Sequence, residues 1–185
     1  LTGMAGIWTS SGPWDDYTRY ALYLLMFLVG ASLGAGGKIR EMFRSLGIKT
    51  LLVPIATITE TLTFSALSAL MISRYSVYDC MAVGSGFGYY SLSSVFITQY
   101  KGAELGTVAL MTNIFREIIT LLFAPLLVRF FSPLAPICAG GATTMDTTLG
   151  VITRFSGREY VFIAVFHGAV VDFTVPFFVT FFCGL

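Results

Sequence analysis

Residues 138–150 read CAGGATTMDTTLG: an aspartate among four threonines, directly after a double glycine. The flanks are SPLAP (132–136) and VITRFSG (151–157), so the stretch forms the middle of an otherwise apolar segment. The chain around it has a mean hydropathy of +0.81. A tightly packed apolar core has no use for this composition, whereas a wet cavity inside a membrane does.

Of the 185 residues, 56% are hydrophobic and 11% charged. A soluble domain carries about a quarter charged residues, so this chain is read as an all-α integral membrane protein. A net charge of +1 offers no polybasic surface and excludes nucleic acid as a partner. Cys80, Cys138 and Cys183 are scattered through apolar runs, with no CxxC and no His/Cys cluster. Neither a disulfide framework nor a metal site is expected.

A bilayer core needs about 20 apolar residues per helix. Cutting the sequence at charges and turn residues predicts six spans, at about 17–36, 49–73, 79–99, 104–129, 133–153 and 159–183, in a single transmembrane domain. Asp15 and Asp16 precede the first run where a signal peptide carries positive charge, so an uncleaved span is expected there. Lys38, Arg40, Arg44, Lys49, Lys101, Arg154 and Arg158 flank the odd-numbered loops; Arg19, Arg74 and Arg129 lie on the other side. This asymmetry places both chain ends outside the cytoplasm. Trp8, Trp14, Tyr17, Tyr20, Tyr75, Tyr78, Tyr100 and Tyr160 near span ends form an interfacial belt.

Glu60, Arg116, Glu117, Asp146 and Asp172 fall near the centres of their spans. An ionised group at that depth costs about 2.5–3.5 kcal/mol. Four acids facing lipid would cost on the order of 10 kcal/mol, as much as a whole fold's stability. They therefore face a cavity, a partner or each other. Glu117 shares a helix face with Asn113 and lies near Thr120, a polar stripe on an apolar helix. Arg116 points about 100° away from Glu117 and reads as a structural clamp.

Gly140 and Gly141 favour a helix break at which Thr143, Thr144, Thr147 and Thr148 satisfy freed backbone groups. Asp146 then stands at the mouth of the second half-helix, where transporters bind substrate. VGSGFGYYSLSS (83–94) is a second glycine-rich interruption that contributes Ser85, Tyr90 and Ser91, and the two interruptions read as two walls of one site. His167 and Asp172 are five positions apart, so a straight helix does not put them on one face; with Glu60 and Arg116 they are secondary candidates.

Taken together, LLMFLVGASL (24–33), VGSGFGYYSLSS (83–94), TNIFREIITLLFAPLL (112–127), GGATTMDTTL (140–149) and VFHGAVVDFTVPFFVTFFC (165–183) resemble, in order and spacing, the LysO-type lysine exporter family of prokaryotic inner membranes. The resemblance covers nearly the whole chain from about residue 17. It implies export of L-lysine and related cationic amino acids such as thialysine by proton antiport, with Na⁺ as the alternative coupling ion and no cofactor. It also implies an antiporter/bile-acid-symporter-like architecture of inverted repeats and broken, crossing helices. By motif match, Glu117 of NIFRE and Asp146 of GATTMD correspond to the family's intramembrane acids.

Gly150 departs from the family's TLP pattern, and Asp172 and Glu60 lie outside it. Full-length exporters carry further spans before the first segment, and some are split into a small and a large membrane chain. This sequence resembles the large one, so a small membrane subunit, a homodimer, or both are expected partners. A five-helix repeat starting near residue 49 would make the 138–150 break its fourth span. Two other classes compete: a non-transporting scaffold or sensor subunit, and an intramembrane serine hydrolase with Ser85 as nucleophile and His167 as base.

Overall fold

The computed structural model describes residues 48–185, together with Tyr20, Leu24 and Phe27, which are helical. Apart from these three, the predicted span 17–36 lies outside the described residues. The chain divides into two compact units, Leu1–Gly37 and Lys38–Leu185, and every helix from residue 48 onward belongs to the second.

Helices α1 (Ile48–Ser68), α2 (Val77–Gly84), α3 (Tyr90–Lys101), α4 (Ala103–Phe130), α5 (Ala135–Gly140), α6 (Leu149–Phe155) and α7 (Val161–Cys183) follow in order, with no strand among the described residues. Three of them, within Thr50–Ser68, Ala103–Phe130 and Arg158–Cys183, are long and apolar enough to cross a membrane. At 1.5 Å per residue, α4 is about 42 Å long and α7 about 35 Å, against a hydrocarbon core of about 30 Å.

The predicted spans 79–99 and 133–153 are not continuous helices. The first consists of α2 and α3, separated at Ser85–Tyr89; the second consists of α5, a 3-10 segment Gly141–Met145, and α6. Local chemistry explains the starts and stops. Ser76 and Asp79 form a reciprocal cap on α2, each backbone N–H donating to the other side chain at 3.1 Å. Pro136 opens α5, where its missing N–H has no helical partner to lose.

Helix α7 is the central element. Half of its most apolar window is buried, against 17% for α1 and for α4. Phe166, Val171, Val175 and Val179 are fully enclosed along it, and it runs unbroken through Pro176. Ile137 of α5, Ile152 of α6 and Ala164 of α7 form a buried cluster, so the second broken pair is packed against α7. Lipid tails are as apolar as these side chains, so close packing rather than the hydrophobic effect favours this arrangement. Outward, Phe115, Ile119, Leu122 and Phe123 of α4 and Phe173, Phe177 and Phe181 of α7 are exposed.

Candidate functional site

The two helix breaks meet. The Ala142 N–H donates to the Phe87 carbonyl at 2.9 Å, joining the 3-10 segment to the α2–α3 connection. Close approach is permitted by Gly141, whose φ is +63° and where a Cβ would collide with the Phe87 oxygen. Phe87 itself has φ +46° and is fully buried, with its ring edge-on to Phe178 of α7 at 6.1 Å.

Helix α4 satisfies both breaks from one face. Asn113 accepts from the Gly88 N–H at 2.8 Å and donates to the carbonyls of Val83 (3.2 Å) and Ala109 (2.9 Å). Arg116 donates from Nε to Ala139 O (2.8 Å), from Nη2 to Cys138 O (3.1 Å) and from Nη1 to Thr61 Oγ1 (3.2 Å). The terminal carbonyls of α5, Cys138 and Ala139, thus find donors on α4, which also adds a second donor to Val83 O of α2. Arg116, expected as a structural clamp, bonds α4 to α5 and α1. The guanidinium also complements the negative end of a helix.

Viewed down α4, Asn113 and Thr120 lie about 20° apart, with Arg116 and Glu117 on opposite flanks. The structure turns Arg116 toward α5 and leaves Glu117 half-buried, with no hydrogen bond or ion pair to a described residue. Asn113 and Thr120 are buried on α4, with Arg116 and Glu117, both half-buried, on either side of them.

Asp146 is exposed in the second break, just ahead of α6, and its Oδ1 accepts from the Thr147 N–H at 2.6 Å. A small cleft of about 90 Å³ is lined by Tyr89, Ala142, Thr143, Met145, Asp146 and Asp172. Asp172, from α7, thereby joins Asp146. Tyr89 lines this cleft and Tyr90 does not, while Ser91 and Thr147 are exposed. Tyr89 is the last residue of the irregular α2–α3 connection, which carries no periodic signal, and so it was not legible.

Thr143 Oγ1 donates to Gly140 O at 2.9 Å and lies 3.3 Å from Thr148 Oγ1. Thr144 Oγ1 lies 2.8 Å from Gly141 O, 2.9 Å from Ala164 O and 3.2 Å from His167 Nδ1. His167 is fully buried, and its Nε2 is 2.9 Å from Thr57 Oγ1 of α1. The imidazole thus ties α1 to the 3-10 segment. Gly168 lets the backbone approach: a Cβ there would stand 2.7 Å from Met145 N.

The serine hydrolase geometry is not made. Ser85 Oγ donates to Met81 O at 2.6 Å, and both nitrogens of His167 face threonines. A nucleophile needs its base within hydrogen-bond reach. Glu60 lies apart from Asp146, exposed on a larger cleft of about 490 Å³ that also includes Thr61, Thr112, Arg116 and Cys138. No group of His, Cys, Asp and Glu able to hold a metal ion occurs among the described residues.

Membrane-length apolar helices around two interlocked breaks that carry polar groups mark a membrane-embedded protein. The profile of the lysine exporter LysO family matches residues 1–183, and the chain belongs to that family, a family of transporters and not of enzymes. The chain is similar to the lysine exporter LysO of Escherichia coli K12, at 32% identity over 90% of this chain and 55% of the relative. It is also similar to a Haemophilus influenzae protein provisionally named a lysine exporter, at 33% identity over 88% of this chain and 82% of that one. The chain thus spans about half the length of the Escherichia coli relative. No solved structure matches it.

Proposed function

We propose that the chain is the larger part of a secondary transporter that exports L-lysine and related cationic amino acids across a prokaryotic inner membrane in exchange for protons. The observation that carries this reading is the position of Asp146, a carboxylate in a helix break at a cleft, within a chain of the lysine exporter family. Both chain ends lie outside. The longer relative contains further spans, and transport with and without a small companion chain tests whether a separate membrane subunit takes part.

In this reading Asp146 and Glu117 bind the ammonium groups of lysine or, in its absence, protons. A carboxyl group neutralised by a proton no longer attracts the cation, so competition alone couples the two flows. The substrate carboxylate goes to the positive end of a half-helix.

The test is counterflow of labelled lysine in proteoliposomes, with and without the small companion chain, alongside protection of cells from thialysine. Asp146→Asn and Glu117→Gln abolish both while leaving membrane insertion intact. Normal thialysine protection by either variant removes that residue from the mechanism. Wild-type chain inert in counterflow under both conditions would be a scaffold.

A further inference from the structure

We infer that neither broken pair crosses the bilayer. Helices α2–α3 and α5–α6 are re-entrant hairpins that enter from opposite faces and meet tip to tip among three crossing helices, α1, α4 and α7. The Asp146 cleft lies at their junction. The inference rests on membrane embedding and not on which solute is carried.

The direction of each arm decides between a hairpin and a crossing. Asp79 stands near the start of α2 and Lys101 ends α3. Laid end to end, the two helices would hold these residues about 33 Å apart at 1.5 Å per residue, far beyond the reach of their side chains. Instead Lys101 Nζ lies 3.3 Å from Asp79 Oδ1, and a Cβ on Gly86 would stand 2.7 Å from Ser93 Oγ. As the residue number rises along α2 its neighbour's number falls along α3, so the arms are antiparallel. Arg74 pairs with Glu104 at 2.6 Å, and Tyr75 Oη donates to Glu104 Oε1 at 3.0 Å. The entry to α2 is thereby held beside the start of α4.

The second pair repeats the pattern from the other side. Ile137 of α5 and Ile152 of α6 would be about 22 Å apart along a straight helix, yet they share one buried cluster with Ala164. A Cβ on Gly140 would stand 3.0 Å from Thr148 Oγ1, and the Thr143 and Thr148 hydroxyls are 3.3 Å apart. Val53, near the start of α1, packs against the same cluster, as do Leu134, Tyr160 and Ile163. Helices α1 and α7 therefore start at the face where α4 ends.

Helix α4 gives the depth. It is long enough to cross alone, with the mouth of the first hairpin at its Glu104 end and that of the second at its Phe130 end. The tips meet at its middle, where Asn113 binds Gly88, Arg116 binds Ala139, and the Ala142 N–H reaches the Phe87 carbonyl. Irregular backbone at that depth is tolerated only where protein or a wet cavity satisfies it, and these two side chains do so. The cleft is lined by Tyr89 from the first tip and by Thr143 and Asp146 from the second. A solute held there has a different hairpin toward each face. With the predicted 17–36 the crossings number four, an even number, so both chain ends stay on one face. Lys49, Arg129, Arg154 and Arg158 fall at the Phe130 end of α4, whereas Arg74 and Lys101 fall at the Glu104 end and are each paired with an acid. The Phe130 end is the cytoplasmic one.

The test is labelling of single introduced cysteines by a membrane-impermeant maleimide, in spheroplasts and in inside-out vesicles containing the full chain. Met71→Cys and Ala103→Cys flank the first hairpin, and Phe131→Cys and Glu159→Cys flank the second; all four positions are exposed. The wild type, whose three cysteines are buried or half-buried, gives the background. Leu70→Cys and Phe130→Cys replace the Met71 and Phe131 variants if those do not insert. The hairpins require Met71→Cys and Ala103→Cys to react in spheroplasts, and Phe131→Cys and Glu159→Cys to react only in inside-out vesicles. Crossing spans at 79–99 and 133–153 would split both pairs between the faces, and a split pair overturns that hairpin. Intact pairs on exchanged faces keep the hairpins and overturn the orientation. Split pairs in protein that performs lysine counterflow leave transport standing, and intact pairs in protein without counterflow leave the hairpins standing and remove the transport reading.

Discussion

The Arg116 Nε donates to the carbonyl of Ala139 at 2.8 Å, and Nη2 of the same guanidinium donates to Cys138 at 3.1 Å. A charged side chain thereby closes the end of α5, a helix that stops inside the protein. Lysine lacks the planar fork needed to serve two carbonyls and Thr61 at once. Arg116→Lys should therefore lower stability by about 2–3 kcal/mol, the scale of hydrogen bonds to a charged group. Thermal unfolding in detergent checks this. Export should fall with the amount of folded protein while the apparent KM for lysine stays unchanged; a raised KM with normal stability would make Arg116 a ligand instead.

Asn113 performs the corresponding task at the first break, with three hydrogen bonds of 2.8–3.2 Å from one buried amide. Asn113→Leu strands the Gly88 N–H, at a cost of about 1–3 kcal/mol, and leaves the Val83 carbonyl only its bond from the Gly86 N–H at 3.3 Å. Asn113→Asp keeps the acceptor for Gly88 and loses both donor contacts, so it should fall between leucine and wild type. Denaturation midpoints of the three proteins give the order directly.

Two glycines of the opening stretch respond in opposite ways. Gly141 has φ +63° and faces the Phe87 carbonyl, so Gly141→Ala combines a left-handed backbone with a collision. The loss should be about 3 kcal/mol, measured as reduced yield and lowered melting temperature. At Gly150, in the first turn of α6, a Cβ would meet nothing within 4 Å. Gly150→Ala should be tolerated, with a gain of up to about 1 kcal/mol.

The imidazole of His167 lies 2.9 Å from Thr57 Oγ1 and 3.2 Å from Thr144 Oγ1, so these three side chains act as a unit. A double-mutant cycle of His167→Ala and Thr57→Val should give a coupling of about 0.5–1.5 kcal/mol in unfolding experiments. Strict additivity would mean that the Nε2 contact contributes nothing. Because His167 spans two threonines rather than activating Ser85, a fluorophosphonate probe should leave Ser85 unlabelled, and Ser85→Ala should export normally.

The membrane class, the three long helices and the two interruptions were legible in the amino-acid string, because bilayer thickness and backbone hydrogen bonding impose them through length, hydropathy and glycine placement alone. Gly140–Gly141 and Gly84–Gly88 marked where helices could not continue; the depth that marked Asp172 as interior also marked Asp146, which the structure leaves exposed in the break. The direction each side chain faces was not legible. Asn113, Arg116, Glu117 and Thr120 span only about 100° of one helix, too narrow an arc for periodicity to rank them, and the placement of α5 against α4 gave Arg116 its carbonyl partners. Likewise Asp146 and Asp172, 26 positions apart on different elements, share a cleft. Such a pairing arises from how α7 packs under the break, which depends on the shapes of many small contacts and on no local run of sequence.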